Sequence, residues 1–393
     1  MGVEKQITSN YNSNIKLNHY FWQVSQADRM IVLLSLYFCA VMVQLLFLLL
    51  FDGAILFHKP KPSDYQEPVS VIVAAHNEHQ NLIKLIPRLL DQDYPEFEIV
   101  IVDDRSTDDT VALKQTYKDE KRLQFVDVKS TTSGIDPKKQ ALITGITAAQ
   151  HEHLVFTDAD CLPDSYQWLQ AMAHGFENKA DIVLGVSPYR RSRGLLNLFI
   201  RYEAIFTAIQ YISFALMKLP YMGVGRNMAY NKLFFLKQGG FSGIEGLTGG
   251  DDDLFVNKNS KLSKVNVVIT PGSTATSLPK KSWGSFFRQK IRHLSAGKRY
   301  RLKDKLILGS FILSMLVLYI SGFWLIFTNQ EPYLIMTGFI GRWILLSLVV
   351  MRFCQHTGIK FSTLSVFFLD ILYAVYYIST SVGVLLSKKI KWS

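Results

Sequence analysis

Cysteine is scarce in this chain: Cys39, Cys161 and Cys354 are the only three in 393 residues. Their separations exclude a disulfide framework and the C-x-x-C spacing of a thiolate metal site. The polar part of the chain is therefore expected in a reducing compartment. Charge is absent over a long stretch, Met30 to Phe51, "MIVLLSLYFCAVMVQLLFLLLF". A hydrocarbon core is crossed by about 20 apolar residues, so this run predicts a span. A secretory signal would have a shorter apolar core nearer the N-terminus; an uncleaved anchor is expected instead.

Three similar runs follow near the C-terminus: "LILGSFILSMLVLYISGFWLIF" (306–327), "YLIMTGFIGRWILLSLVVM" (333–351) and "LSVFFLDILYAVYYISTSVGVLL" (364–386). Arg342 lies near the middle of the second, where a charge costs about 2.5–3.5 kcal/mol on insertion scales. It should face other helices or reach a lipid head group. Asp370, near one end of the last run, is expected to pair between helices or reach the interface.

Acids are also outnumbered, 32 Asp and Glu against 43 Lys and Arg, for a formal charge of +11. By the positive-inside tendency the surplus fits the cytoplasmic face of an anionic membrane, here a bacterial inner membrane. No nucleic-acid partner is expected. Four spans with the central region inside would leave the C-terminal "KKIKWS" outside, so one span is expected to be re-entrant or miscounted.

Between Phe57 and Lys305 the chain is polar and alternates short apolar runs with helical patterns. The runs are "VSVIVAA" (69–75), "EIVIVDD" (98–104), "LQFVDV" (123–128), "HLVFTD" (153–158) and "DIVLGV" (181–186). Between the first two, Leu82, Leu85, Ile86, Leu89 and Leu90 fall on one helical face. Such alternation predicts an α/β domain with a parallel sheet, whose ligands bind beyond the carboxyl ends of strands. Several runs end in ligand-like residues: His76, Asn77 and Glu78; Asp103 and Asp104; Asp158 and Asp160. On an extended segment, Asp158 and Asp160 point the same way. Two such anions raise each other's pKa unless a cation lies between them. Mg²⁺ or Mn²⁺, which takes oxygen ligands and shares them with substrate phosphates, suits that pair; a surface turn produces the same spelling.

"VSVIVAAHNE", "IVIVDDRSTDDT", "KKQAL", "FTDADC", "GVGRNMAY", "GGDDDLF" and "RQKIRH" follow one another in an order and spacing that resembles the membrane-embedded family 2 glycosyltransferases. That group includes cellulose, chitin and hyaluronan synthases and ceramide glucosyltransferase. The resemblance covers about Glu67 to Tyr300. It implies a GT-A (Rossmann-like) catalytic domain and inverting transfer of a sugar from a nucleotide-diphosphate donor, a UDP-sugar, to a lipid or saccharide acceptor.

By the same resemblance, His76, Asn77, Glu78, Asp103 and Asp104 line the nucleotide pocket, with Asp104 toward the base. Lys138 offsets diphosphate charge, and Asp158 and Asp160 hold the metal. "GGDDDLF" supplies the general base. Alignment on Leu254 makes this Asp251, although Gly250 stands where relatives carry Glu, and Asp252 remains a candidate. "QKIRH" matches Q-x-x-R-W with His293 in place of Trp; Gln289, Arg292 and His293 are implied at the phosphates and the acceptor.

On a helix, Trp283, Phe287, Ile291 and Leu294 share one face opposite Gln289 and Arg292, the pattern of a helix lying in the membrane interface. A second apolar stretch, 194–219, interrupted by Arg201 and Glu203, is expected along the same interface. The expected divisions are an N-terminal polar segment (1–29), an anchor (30–57), the GT-A domain (58–279), the interfacial helix (280–305) and a C-terminal region of about three spans (306–393). A processive polysaccharide synthase competes with single-sugar transfer. A glycosidase, or a transport or structural membrane protein, would leave the acidic strand ends unexplained.

Overall fold

The structure, a computed structural model, describes the backbone of residues 2–59 and 65–386 and the side chains of 28–59 and 65–384. The "KKIKWS" tail and most side chains of the N-terminal polar segment lie outside the described residues. In chain order the elements are α1 (Gly2–Leu56), β1 (Val69–Ala75), α2 (His79–Leu90), β2 (Phe97–Asp103), α3 (Thr110–Thr116), β3 (Leu123–Asp127), α4 (Pro137–Ala148), β4 (His153–Phe156), β5 (Cys161–Pro163), α5 (Trp168–His174) and β6 (Ile182–Leu184). There follow α6 (Leu195–Leu216), β7 (Met228–Asn231), α7 (Lys232–Lys237), α8 (Asp253–Asn259), β8 (Val265–Val267), β9 (Ala275–Ser277), α9 (Trp283–Ala296), α10 (Leu302–Phe327), α11 (Pro332–Thr357) and α12 (Val366–Leu386).

Two compact units result. One comprises residues up to Leu48 with Leu308–Leu345; the other comprises Leu49–Ile307 with the chain from Leu346 onward. Four helical stretches among the described residues are long and apolar enough to cross a membrane: Asp28–Leu56, Leu302–Phe327, Pro332–Thr357 and Thr363–Val384. In the smaller unit Arg342 is fully buried. Its Nε donates to Gln44 Oε1 at 3.0 Å and its guanidinium lies 5.6 Å from the Tyr319 ring centre. Gln44 in turn donates to Phe311 O and Ser314 Oγ. The charge in the middle of this long apolar helix is thus held between helices.

The larger unit is built on a seven-stranded sheet of order β3-β2-β1-β4-β7-β6-β8. All five apolar runs read from the sequence are strands in it. β3, β2, β1 and β4 are parallel, but β7 runs antiparallel to both β4 and β6. The sheet is therefore mixed rather than parallel. Strand direction depends on how the chain enters β7 from α6, which composition does not encode. The core forms where β1 and β2, apolar except at Ser70, Glu98 and Asp103, meet α2 through Leu82, Leu85, Ile86 and Leu89. Leu90 is only partly buried.

Two helices have extensive protein contacts. Most residues of α6 are buried, because it packs between β8 and α12. α9 uses Phe286 and Lys290 as its buried residues. Phe286 sits among Phe199, Phe287 and Tyr376, and Ile291 lies against Gly383 of α12. The apolar stripe of α9 therefore meets protein, and Trp283 at its start is 40% exposed. Asp370 of α12 is buried and accepts from Tyr202 Oη of α6 at 3.3 Å.

Candidate active site

α4 begins with a compact N-terminal arrangement. Asp136 caps it by accepting from Lys139 N at 3.3 Å, and Pro137 occupies the first turn, where a missing N–H costs nothing. The helix lies close on β1 and β2 because Gly145 has no side chain there: a Cβ would come within 2.7 Å of Val102 Cγ2 and 2.8 Å of Ile72 Cγ2. This packing sets Lys138 at the carboxyl end of the sheet. Its ammonium lies 3.1 Å from Asp158 Oδ1 and 3.2 Å from Asp251 Oδ2. One lysine thus links the acid pair after β4 to the acid run before α8.

Lys139, fully buried, donates to the carbonyls of Leu247 and Gly249 in the same loop. Gly249 and Gly250 take φ of 80° and 83°, a region glycine enters without strain. The loop that delivers Asp251 is thereby fixed. Asp251 is 7% exposed. Burial alone would raise its pKa, but Lys138 and then Lys139 oppose it and hold the carboxyl below its ordinary value. Asp252 accepts from Gly225 N at 2.8 Å and Asp253 N at 2.7 Å; burial and the Asp251 charge push it up. Asp253 accepts from Tyr300 Oη at 2.8 Å, and burial with repulsion from Asp252 raises it to about 8.

The Asp158 and Asp160 segment is a turn, not the extended run expected. β4 ends at Phe156, and Cys161 N donates back to Asp158 O at 3.0 Å. Both carboxyls still line one cleft. Burial, then the Asp158 charge, raises Asp160, with Arg226 opposing. Glu78 is raised by burial and, despite a hydrogen bond from Asn81, by Asp160 and Asp158. No group of three His, Cys, Asp or Glu side chains converges as a metal site among the described residues. Two mutually repelling carboxylates beside an open cleft nevertheless fit a hard divalent ion, which is commonly held by one or two carboxylates plus substrate phosphates.

The cleft encloses about 320 Å³, the lower end of the range for small-ligand sites. Of the residues expected from sequence, His76, Glu78, Asp104, Lys138, Asp158, Asp160, Asp251, Asp252, Gln289, Arg292 and His293 line it. Asn77 and Asp103 do not; they stitch the neighbouring loops. Asn77 Oδ1 accepts from Thr107 N at 2.8 Å. Asp103 accepts from Ser106 N at 2.9 Å and pairs with Lys114 at 2.8 Å. Burial of Asp103 is outweighed by Lys114 and Ser106, so its pKa is lowered. Asp104 pairs with Arg105 at 2.7 Å.

Gln289, Arg292 and His293 come from α9, whose buried Lys290 pairs with Glu203 of α6 at 2.5 Å. Gln289 Oε1 is buried with no partner among the described residues, an acceptor available to a ligand hydroxyl or N–H. The His293 ring is open to the cleft on one side. Crowding by the protein, then the charges of Lys290, Arg292, Arg226 and Lys138, hold its pKa well below the ordinary value.

Three cations of the cleft, Arg226, Lys280 and Lys290, were not singled out from sequence. Arg226 stacks 4.6 Å from the Tyr189 ring centre. It is placed by Asn227, which accepts from Trp168 Nε1 and donates to the carbonyls of Val186 and Ser273. The signal available was a lone arginine between glycine and asparagine in "GVGRN".

Residues 70–234 match the family described as Glycosyl transferase family 2. The chain is 25% identical over 244 residues to the poly-beta-1,6-N-acetyl-D-glucosamine synthase of Staphylococcus epidermidis, covering 61% of this chain and 56% of that protein. It is 31% identical over 117 residues to the poly(ribitol-phosphate) beta-N-acetylglucosaminyltransferase TarS of Staphylococcus aureus, covering 29% and 20%. The chain thus spans about half, or less, of the length of these relatives. Among solved structures it is similar to the mannosyltransferase PcManGT from Pyrobaculum calidifontis in complex with GDP-Man and Mn²⁺, with a TM-score of 0.59 and 17% identity over 92% of this chain and 99% of that one. That likeness is one of fold.

Proposed function

We propose, for a chain that carries a family 2 glycosyltransferase domain of GT-A fold and is an enzyme of that class, that it moves a sugar from a UDP-sugar to a lipid or saccharide acceptor at the cytoplasmic face of a membrane. The transfer is a single inverting displacement. The observation that carries this reading is the position of Lys138, which joins Asp158 and Asp251 through one ammonium. A group that can bind the leaving diphosphate and a group that can take the acceptor proton are thereby adjacent.

Asp158 and Asp160 would hold Mg²⁺ or Mn²⁺, which when bound supplies positive charge against the departing nucleoside diphosphate. His76, Glu78 and Asp104 would receive the nucleoside, with Asp104 as acceptor for the base N–H. Arg226 and Arg292, both on the cleft wall, add charge on the phosphate side. Asp252 commits its oxygens to the N–H groups of Gly225 and Asp253, so Asp251 is the choice for the base that accepts the acceptor hydroxyl's proton. A diphosphate entering beside Lys138 gives that ammonium a competing anion. Asp251 then loses part of the charge that depresses its pKa, and its basicity rises as the donor binds.

The test is binding and hydrolysis of a panel of nucleotide sugars by detergent-solubilised protein with Mn²⁺ or Mg²⁺, beside Asp158→Asn/Asp160→Asn. Ion-dependent binding of one nucleotide sugar, lost in the variant, is expected. Equal binding by the variant with and without the ion would remove the metal bridge from the scheme. The likeness to a poly-N-acetylglucosamine synthase favours one second reading, a processive polymer synthase. The chain length of the labelled product separates the two.

A further inference from the structure

Another cavity of the larger unit, about 820 Å³, shares no lining residue with the catalytic cleft. Its wall carries Arg191, Arg201 and Lys360 and no Asp or Glu. Two of the three cations are held by specific contacts. Ser192 N donates to Asn197 Oδ1 at 2.7 Å, and Asn197 Nδ2 donates to Arg190 O at 2.9 Å; Asn197 is buried. The backbone on both sides of Arg191 is thereby anchored to the start of α6. Arg201, also on α6, donates to the carbonyl of Lys360 and lies 5.4 Å from the Phe361 ring centre. Burial, with the charge of Arg191 added, disfavours its protonated form.

Like charges drawn together on one wall repel; an anion between them would turn that repulsion into attraction. The rest of the lining narrows which anion. Leu198, Met351, Ile359 and Phe361 provide apolar surface beside the cations. The cavity also lies at the turn 358–365, where α11 ends and α12 begins, two helices long and apolar enough to cross a membrane. At such a turn a basic pocket with apolar walls lies at head-group depth, where anionic lipids gather.

We propose that this cavity binds the phosphate of an anionic phospholipid head group, with Arg191, Arg201 and Lys360 on the phosphate and the apolar wall against the first acyl carbons. The inference rests on the membrane reading above and is independent of the donor chemistry. A lipid seated there touches α6 on the side away from Glu203, the residue that pairs with Lys290 of α9.

The test uses the full chain in nanodiscs of phosphatidylcholine with or without phosphatidylglycerol, with retained lipid counted by native mass spectrometry. Wild type should retain phosphatidylglycerol over phosphatidylcholine. Arg191→Gln/Lys360→Gln, which leaves the Arg201 anchor intact, should lose that preference by about fivefold for each cation removed. Equal retention by wild type and double variant overturns the proposal. So does full displacement of the lipid by inorganic phosphate, which would make the ligand a soluble anion. Alkaline carbonate extraction of membranes separates the two failures. Release of the protein would overturn the membrane reading itself, whereas firm retention together with an unchanged lipid preference in the variant would overturn the lipid site alone.

Discussion

Lys138→Met removes one charge while keeping most of the side chain's length, and three acidic side chains feel it. Asp251 is 7% exposed and Asp158 31% exposed. At 3.2 Å and an effective dielectric of about 20, opposite unit charges attract by about 5 kcal/mol, part of which is cancelled by the desolvation of the lysine. Breaking a buried pair from one side costs about 3–5 kcal/mol. Because the Asp158 half is partly screened by solvent, the lower end applies, about 3 kcal/mol. For a domain of this size that lowers Tm by roughly 6–12 °C.

The pH dependence carries a sign. In the wild type, Asp251 has its pKa depressed. Its pairing therefore contributes stability that is complete above about pH 4, the ordinary carboxylate value, and lost as pH falls through the lower folded-state value. In Lys138→Met, burial and Asp252 remain while the main opposing charge is gone. The folded-state pKa moves above the ordinary value, and stability then falls as pH rises between the two. The assay is thermal unfolding in detergent across pH, with chelator or Mn²⁺, together with the pH profile of kcat/KM. The acidic limb of that profile should move to higher pH, and Mn²⁺ should recover part of the lost Tm through Asp158. A variant with wild-type melting and an unshifted acidic limb would refute the reasoning.

Further tests address other parts of the larger unit. Gly145→Ala puts a methyl where 2.7 Å separates a Cβ from Val102 Cγ2, so overpacking should cost about 1–3 kcal/mol, read as a lower denaturation midpoint; an unchanged midpoint would mean that α4 can lift from the sheet freely. Lys290→Met leaves Glu203 buried and unpaired. A loss of about 3–5 kcal/mol is expected, and Glu203→Gln added to it should restore most of the stability; a double variant as unstable as the single one would argue against the pairing. Asp253, raised to about 8, binds a proton in the folded state that the unfolded chain has lost, so it reduces stability as pH rises from about 4 to 8. Asp253→Asn should therefore melt higher than wild type at pH 8.5 and show a smaller gain, or none, at pH 4. The same increment at both values would contradict a shifted carboxyl.

The fold was most legible where burial is complete. β1 and β2 are runs of Val, Ile and Ala broken only by Ser70, Glu98 and the terminal Phe97 and Asp103, and they are flanked by polar turns, which leaves few alternatives to a central strand. β7, with a sequence as short as "MAYN", carries no such pattern. Its antiparallel direction comes from the return path out of α6, so a parallel sheet was the natural expectation and only part of the sheet obeys it. α6 shows the opposite difficulty. A helix apolar on nearly every side is written the same way whether lipid or protein surrounds it, and here β8 and α12 do. On α9 the buried positions, Phe286 and Lys290, lie one residue from the apolar stripe, and Lys290 is buried with Glu203, a partner far away in sequence.

The acid run before α8 marks the limit of sequence for the site. Asp251, Asp252 and Asp253 are chemically identical side chains in consecutive positions, and an alignment displaced by one residue would exchange their roles. In the structure they separate completely. Asp251 meets the ammonium of Lys138, Asp252 accepts from the backbone N–H groups of Gly225 and Asp253, and Asp253 accepts from the hydroxyl of Tyr300. The first is depressed in pKa and the other two are raised. The lysines of α4 depress Asp251, whereas burial and the charge of the neighbouring acid raise Asp252 and Asp253 against the hydrogen bonds from Gly225 and Tyr300. Local sequence can therefore say that a carboxylate is delivered here, but the choice of which one stays ionised and open to a substrate is made by tertiary contacts.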